Sequence, residues 1–151
     1  QWVQADARFR GFEADASWQA LAWDSGSIEL NAGFDLVHAR LRSGVERDLP
    51  RIPPQRLRLG AIATWGDALA EVSWRRVDGQ DDVAFGELPT QGFDDLRIHL
   101  AYAQEFAGTR VEVFLSGRNL TDDEQRHHTS FIKDVAPQPG RTMEGGVRIQ
   151  L

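Results

Sequence analysis

Apolar and polar residues alternate with a period of two along most of this 151-residue chain. Phe12, Ala14, Ala16 and Trp18 fall on one face, while Glu13, Asp15, Ser17 and Gln19 fall on the other. The same alternation recurs over Ile28–Leu36, Leu57–Trp65, Ala68–Trp74, Leu96–Phe106, Val111–Leu115 and Met143–Leu151, with Ile62, Leu69 and Phe114 out of phase. Successive side chains of a strand point to opposite faces, so seven such segments predict seven β-strands. Each pattern runs for about 10–14 residues, whereas strands of soluble sheets average about 5–6. A tilted strand needs about 9–11 residues to cross a bilayer.

The six prolines mark the connections: Pro50, Pro53 and Pro54, then Pro89, then Pro137 and Pro139. Proline lacks the N–H that a central ladder requires, so it belongs in loops and edges. Long connections are expected at Ser43–Pro54, Asp78–Gly92 and Thr121–Pro139, and short ones near Trp23–Gly26, at Gly66-Asp67 and at Ala107-Gly108. Tight turns then lie at one end of the sheet and long loops at the other, the asymmetry of outer-membrane barrels.

Charge decides which face is wet. The apolar face carries Arg40, Arg76 and Arg141 only at its long-loop end. The opposite face carries Glu13, Asp15, Glu29, Asp35, Arg56, Arg58, Glu71, Arg75, Arg97, Glu105, Glu112, Glu144 and Arg148. A basic group at the bilayer midplane costs about 2–4 kcal/mol, so that face must meet water. Trp18, Trp65, Tyr102 and Phe106 are expected near the short-turn ends, as an interfacial aromatic belt. The competing architecture is a soluble β-sandwich that binds a carbohydrate or protein ligand through its loops, with Leu30, Leu59, Ile98 and Val113 sealed between two layers.

Composition narrows the function. Acidic residues number 23 against 17 Lys and Arg, for a net charge of −6, the wrong sign for neutralising a nucleic-acid backbone. The absence of cysteine excludes disulfides, thiolate metal sites and a cysteine nucleophile. No apolar run exceeds four residues, so no transmembrane helix is expected. Phosphate-cradling, nucleophile-elbow and zinc-protease motifs are missing, which points away from an enzyme, and no cofactor is expected. Seven is odd, while bacterial single-chain barrels use an even number of strands. The expectation is therefore an open, curved antiparallel meander spanning 1–151, the carboxy-terminal portion of a larger barrel.

Four stretches carry a family resemblance: GFEADASW (Gly11–Trp18), LPRIPPQRLRLG (Leu49–Gly60), FLSGRNLTDDEQR (Phe114–Arg126) and HHTSFIKDVAPQPGRTMEGGVRIQL (His127–Leu151). In order and spacing they resemble the carboxy-terminal third of TonB-dependent outer-membrane receptors, most closely those for zinc or other metals. The resemblance implies a 22-stranded barrel in a Gram-negative outer membrane, lipid around it, an amino-terminal plug inside it, and import of a metal or metal chelate driven by TonB. Leu151 stands where such barrels usually end in an aromatic residue.

Candidate site residues follow from ligand chemistry. His127 and His128 lie in the longest loop near Asp122, Asp123, Glu124 and Asp134, and imidazole with carboxylate is a donor set that Zn²⁺ accepts without thiolates. His127, His128 and Asp134 are accordingly the candidates for metal capture, although adjacent histidines on an extended chain point apart. His99 reads as a lumenal polar residue, and His38 lies near the rim. Arg51, Arg56, Arg58, Arg75 and Arg97 form a potential basic strip on the lumen wall facing the plug or an anionic chelate, and their ordinary role, the favoured one, is pairing with lumenal carboxylates. Asn119-Leu120-Thr121 matches a glycosylation acceptor by coincidence of sequence.

Overall fold

The computed structural model of the chain describes residues 5–42 and 48–150. Residues 43–47 of the expected first long loop, and Leu151, lie outside the described residues. Seven strands follow in order: β1 (Ala7–Trp23), β2 (Gly26–Leu41), β3 (Arg56–Trp65), β4 (Ala68–Val77), β5 (Phe93–Phe106), β6 (Thr109–Arg118) and β7 (Thr142–Gln150). They form one antiparallel sheet in which spatial order equals chain order. Among the described residues, β1 pairs only with β2 and β7 only with β6, so the sheet is open.

The alternation dictates the faces, and the register carries them across the sheet. Ala16, Ala32, Leu59, Trp74 and Leu96 share one row of the apolar face, whereas Asp15, Gly33, Arg58, Arg75 and Asp95 share the adjacent row of the polar face. The out-of-phase residues keep strand geometry and sit on the polar face. Ile62 lies between Glu29 and Glu71. Phe114 lies over Gly146, where an added Cβ would meet its ring at 2.7 Å.

No second layer covers either face among the described residues. Leu59 is 45% exposed and Val113 47%, with Leu30 similarly open and Ile98 half-buried. The buried apolar side chains are Ala39, Val77, Phe93 and Ala103. A sandwich needs its apolar face sealed at about 10 Å from a facing sheet, and this chain leaves that face bare. The soluble β-sandwich is therefore overturned.

Other expectations shift in detail. β1 and β2 extend to 17 and 16 residues, beyond the alternating core, because their outer ends still pair with the facing inverted: Arg8 opposite Arg40 and Arg10 opposite His38 continue the apolar face, while Phe9, Val37 and Ala39 lie on the other. β5 begins at Phe93 rather than Leu96, which places Asp94 opposite Arg76 on the apolar face. Their 2.7 Å ion pair lowers the cost of a charge at the long-loop rim. Trp18 is not at the short-turn edge. That edge carries Trp23, Trp65 and Tyr102 in one register row, and Trp18 lies two same-face rows further in, level with Leu30 and Val72. The β1–β2 register shifts between Gln19 and Leu21, and this bulge returns Leu21 and Trp23 to the apolar face.

The short turns are built as hairpins require. Ala107 and Gly108 both have positive φ, 49° and 84°, the type I′ arrangement whose twist matches that of the strands.

The two faces of β3 make different demands. Ala61→Arg, at mid-strand on the apolar face, is expected to cost about 2–4 kcal/mol in bilayers. Ile62→Arg places a cation between Glu29 and Glu71 and is expected to be neutral or stabilising. Denaturant unfolding from phospholipid vesicles measures both, and equal costs would refute the facial assignment.

Candidate functional site

The polar face holds a chain of ion pairs near its long-loop end. Arg56 Nε donates to Asp35 Oδ1 at 2.6 Å, and Arg58 reaches both Asp35 at 3.2 Å and Asp15 at 2.9 Å. The reach to Asp15 crosses β2 directly above Gly33, where a Cβ would lie 2.5 Å from Asp15 Oδ1 and 2.7 Å from Arg58 Nη2. Asp95, its side chain 1% exposed, accepts from Arg75 at 2.9 Å and from Arg97 at 2.7 Å through one oxygen. Arg56, Arg58, Arg75 and Arg97 are thus paired with carboxylates, as a wet wall of mixed charge requires. Asp95 itself escaped the sequence analysis. Its neighbours Phe93 and Asp94 obscure the alternation there, and although Arg97 is two residues along the same strand, Arg75 is brought opposite it only by the β4–β5 register.

The long loops are held by a second polar cluster. Glu87, in the β4–β5 loop, accepts from the Arg51 N–H at 3.0 Å, from the Ala84 N–H at 3.3 Å and from Lys133 Nζ at 3.0 Å. Arg51 belongs to the β2–β3 loop and Lys133 to the β6–β7 loop, so one carboxylate ties three loops together. Lys133 is buried and also donates to the Leu88 carbonyl at 2.7 Å. Arg51 leaves the basic strip altogether: its guanidinium stacks on the Phe131 ring at 3.9 Å.

The predicted histidines separate. His128 is buried, with Nδ1 2.9 Å from Thr90 Oγ1 and Nε2 3.2 Å from Glu87 Oε1. A neutral ring with its proton on Nε2 fits these partners, donating to Glu87 and accepting from Thr90. A second proton on Nδ1 would face the Lys133 ammonium at 3.2 Å. Burial first, and then Lys133, push the His128 pKa below its ordinary value against the opposing pull of Glu87 and Asp134. His127 turns instead toward the polar face, edge-on to Phe93 with ring centroids 5.7 Å apart. Burial and the charge of Arg75 lower its pKa, opposed by Asp95. Asp134 is exposed in the turn after Ile132. The structure does not bring His127, His128 and Asp134 to one point, and no group of three His, Asp or Glu able to hold a metal occurs among the described residues.

The remaining candidates have local partners. His99 Nδ1 lies 2.7 Å from Ser116 Oγ on the polar face, and His38 is exposed at the rim. Asn119 is buried with φ 49°, and its Nδ2 donates to the Asp123 and Pro139 carbonyls at 3.0 and 3.3 Å, so it fastens a loop instead of offering an acceptor amide. The β6–β7 loop also satisfies the outer end of β5. Leu120 N–H donates to the Leu96 carbonyl, Thr121 Oγ1 to the Asp94 carbonyl, and the Asp94 N–H to Asp123 Oδ2.

Burial raises the Glu87 pKa, but the Lys133 ammonium and the Ala84 and Arg51 amides outweigh it and hold the carboxyl below its ordinary value. Both shifts have the same sign for stability. His128 and Glu87 each bind a proton more readily in the open loops than in the closed ones, so acid favours opening. The tie is expected to hold above about pH 6.5 and to loosen as pH falls through the lowered His128 value. Hydrogen exchange of the amides in 84–90 and 127–136 should quicken between pH 7.5 and 5, once corrected for intrinsic rates. Glu87→Ala, which leaves Lys133 buried without its partner, should loosen the same amides at neutral pH by about 3–5 kcal/mol. Protection unchanged in that variant would remove the cluster from loop stability.

Residues 1–120 match the sequence model of the family described as TonB dependent receptor-like, beta-barrel. The match covers β1 to β6 and ends where the β6–β7 loop begins. Together with the bare apolar face, the charged reverse face and the segregation of short turns from long loops, it shows that the chain belongs to the TonB-dependent receptor β-barrels, transporters rather than enzymes, of the Gram-negative outer membrane.

Proposed function

We propose that this chain is the carboxy-terminal wall of a TonB-dependent receptor that imports a metal chelate, with its long loops at the outer surface. In this reading the edges of β1 and β7 are paired by further strands, an amino-terminal plug faces the ion-paired wall, and TonB acts through that plug. The observation that carries the proposal is the division of one single-layer sheet into an apolar face and a face of arginine–carboxylate pairs. That division suits a wall between lipid and a filled aqueous lumen.

A chelate is favoured over a bare ion by the ligand geometry. A bare Zn²⁺ needs three or four converging donors, whereas His128 is committed to Glu87 and Thr90. His127, neutral and turned to the polar face, has the better placement for touching cargo. Phe85, Phe131 and Val135 are each at least 80% exposed on the loops that Glu87 joins, and they offer apolar contact to the organic part of a chelate.

The test is uptake of zinc, free and chelated, by cells whose only receptor for it carries this segment. Uptake should require TonB. His127→Ala should lower it several-fold, Asp134→Ala should leave it unchanged, and the His127→Ala/His128→Ala pair should lower it further by loosening the loops. TonB-independent uptake, or uptake untouched by the paired change, would refute the metal reading.

A further inference from the structure

One register row of the polar face reads Asp15, Gly33, Arg58, Arg75, Asp95 from β1 to β5. Arg58 and Arg75 are therefore direct cross-strand partners of like charge, an arrangement that disfavours pairing unless something neutralises it. Arg58 has Asp15 and Asp35 as carboxylate partners and Arg75 has Asp95, so within the row no carboxylate lies between the two arginines. Arg97 joins from the neighbouring row and shares Asp95 Oδ2 with Arg75. One carboxylate oxygen serves two guanidinium groups.

A cavity of about 550 Å³ opens at this place. Arg58, Arg75 and Arg97 line it with Asp15 and Asp95, and Ser17, Asn31 and Ser73 add neutral hydrogen-bonding groups. With Asp35 and its second partner Arg56 included, four guanidinium groups stand against three carboxylates, Asp15, Asp35 and Asp95, which leaves this part of the wall positive in a chain whose net charge is −6. Arg75 keeps a buried Nε–H with no acceptor. A buried donor left unmade costs about 1–3 kcal/mol, more where it is charged, and such costs persist where a ligand relieves them.

We infer that this cavity is a binding site for a small anion, a carboxylate or phosphate group seated between Arg58 and Arg75 with Arg97 beside it. Planar guanidinium groups take such oxyanions through paired N–H donors, which a Lys point charge reproduces less well. The inference deepens the proposed function, since it identifies acidic groups on the cargo as what this part of the wall recognises. The site is testable without transport.

Malonate and, separately, inorganic phosphate are titrated by calorimetry into the full chain held in detergent micelles. Saturable binding is expected, weakening at least about fivefold between 50 and 500 mM NaCl as charge is screened. Arg58→Gln/Arg75→Gln should weaken it at least tenfold. Arg148→Gln, on the same face but paired with Glu112 at 2.7 Å away from the cavity, should leave it within twofold. If the double variant does not fold, Arg97→Gln with the salt series replaces it, and a several-fold loss is expected. Absence of saturable binding, salt-independent affinity, or equal loss in Arg148→Gln overturns the site. Uptake of neutral and anionic chelates by the double variant then separates the two readings: failed binding removes the anion site alone, whereas normal binding with no transport of any chelate removes the import function.

Discussion

A single sheet with nothing stacked on it must satisfy two solvents through one backbone, and every other feature of this chain depends on that constraint. In lipid each N–H and C=O needs an internal partner, and only neighbouring strands supply them. The strands therefore run long and pair in chain order, while their side chains divide the environments residue by residue. The usual source of stability, a closed core of large apolar residues, is replaced here by lipid on one side and charge pairing on the other. This explains why the most deeply buried large side chains are Phe93 and Asp95, both on the polar face beneath the loops, instead of residues of the apolar face.

Charge pairing on such a wall depends on where side chains are missing. The Arg58–Asp15 pair spans two strand spacings and passes over Gly33, and Asn31 occupies the space that Gly60 vacates. Phe114 does the same over Gly146, with the Arg148 guanidinium 5.9 Å away. A glycine in a strand interior normally weakens it by loss of packing. On this face it lets a long side chain lie flat, so the ion-pair network and the glycines form one device. Exposed pairs of this kind contribute about 0–1 kcal/mol each. Their value is in fixing guanidinium positions more than in holding the sheet together.

Strand number, facing and the position of the long loops were legible in the sequence because a period of two is local and a face exposed to lipid tolerates few errors. Ile62 and Phe114 broke the pattern harmlessly, since the wet face accepts an apolar residue more readily than the lipid face accepts a charge. Strand ends were not legible. Arg8, Arg10, His38 and Arg40 continue the apolar face while Phe9, Val37 and Ala39 lie on the other, so the sense of the alternation inverts there and no longer marks the same strand. Nor was the loop cluster, because Glu87 and Lys133 are 46 residues apart and nothing in either loop announces the other. The histidine pair was noticed for its donor chemistry, but its fate was set by partners outside its own loop: Glu87 and Thr90 take His128 inward, while Phe93 and Arg75 draw His127 toward the wall.

The two polar clusters divide labour by their degree of closure. Around Glu87 the donors and acceptors match: the carboxylate is surrounded by donors, Lys133 has Glu87 and a carbonyl, and neutral His128 fits between them. Such satisfaction rigidifies a loop and leaves little for a ligand to gain. Around Arg75 the match is incomplete, with an Nε–H and Asp95 Oδ1 both buried and unpartnered and one carboxylate oxygen shared between two arginines. Where a polar network is closed the chain is holding itself together, and where it is open hydrogen-bonding capacity is left over. The loops are thus fixed by the closed cluster above a wall whose open cluster is the part with chemistry to spare.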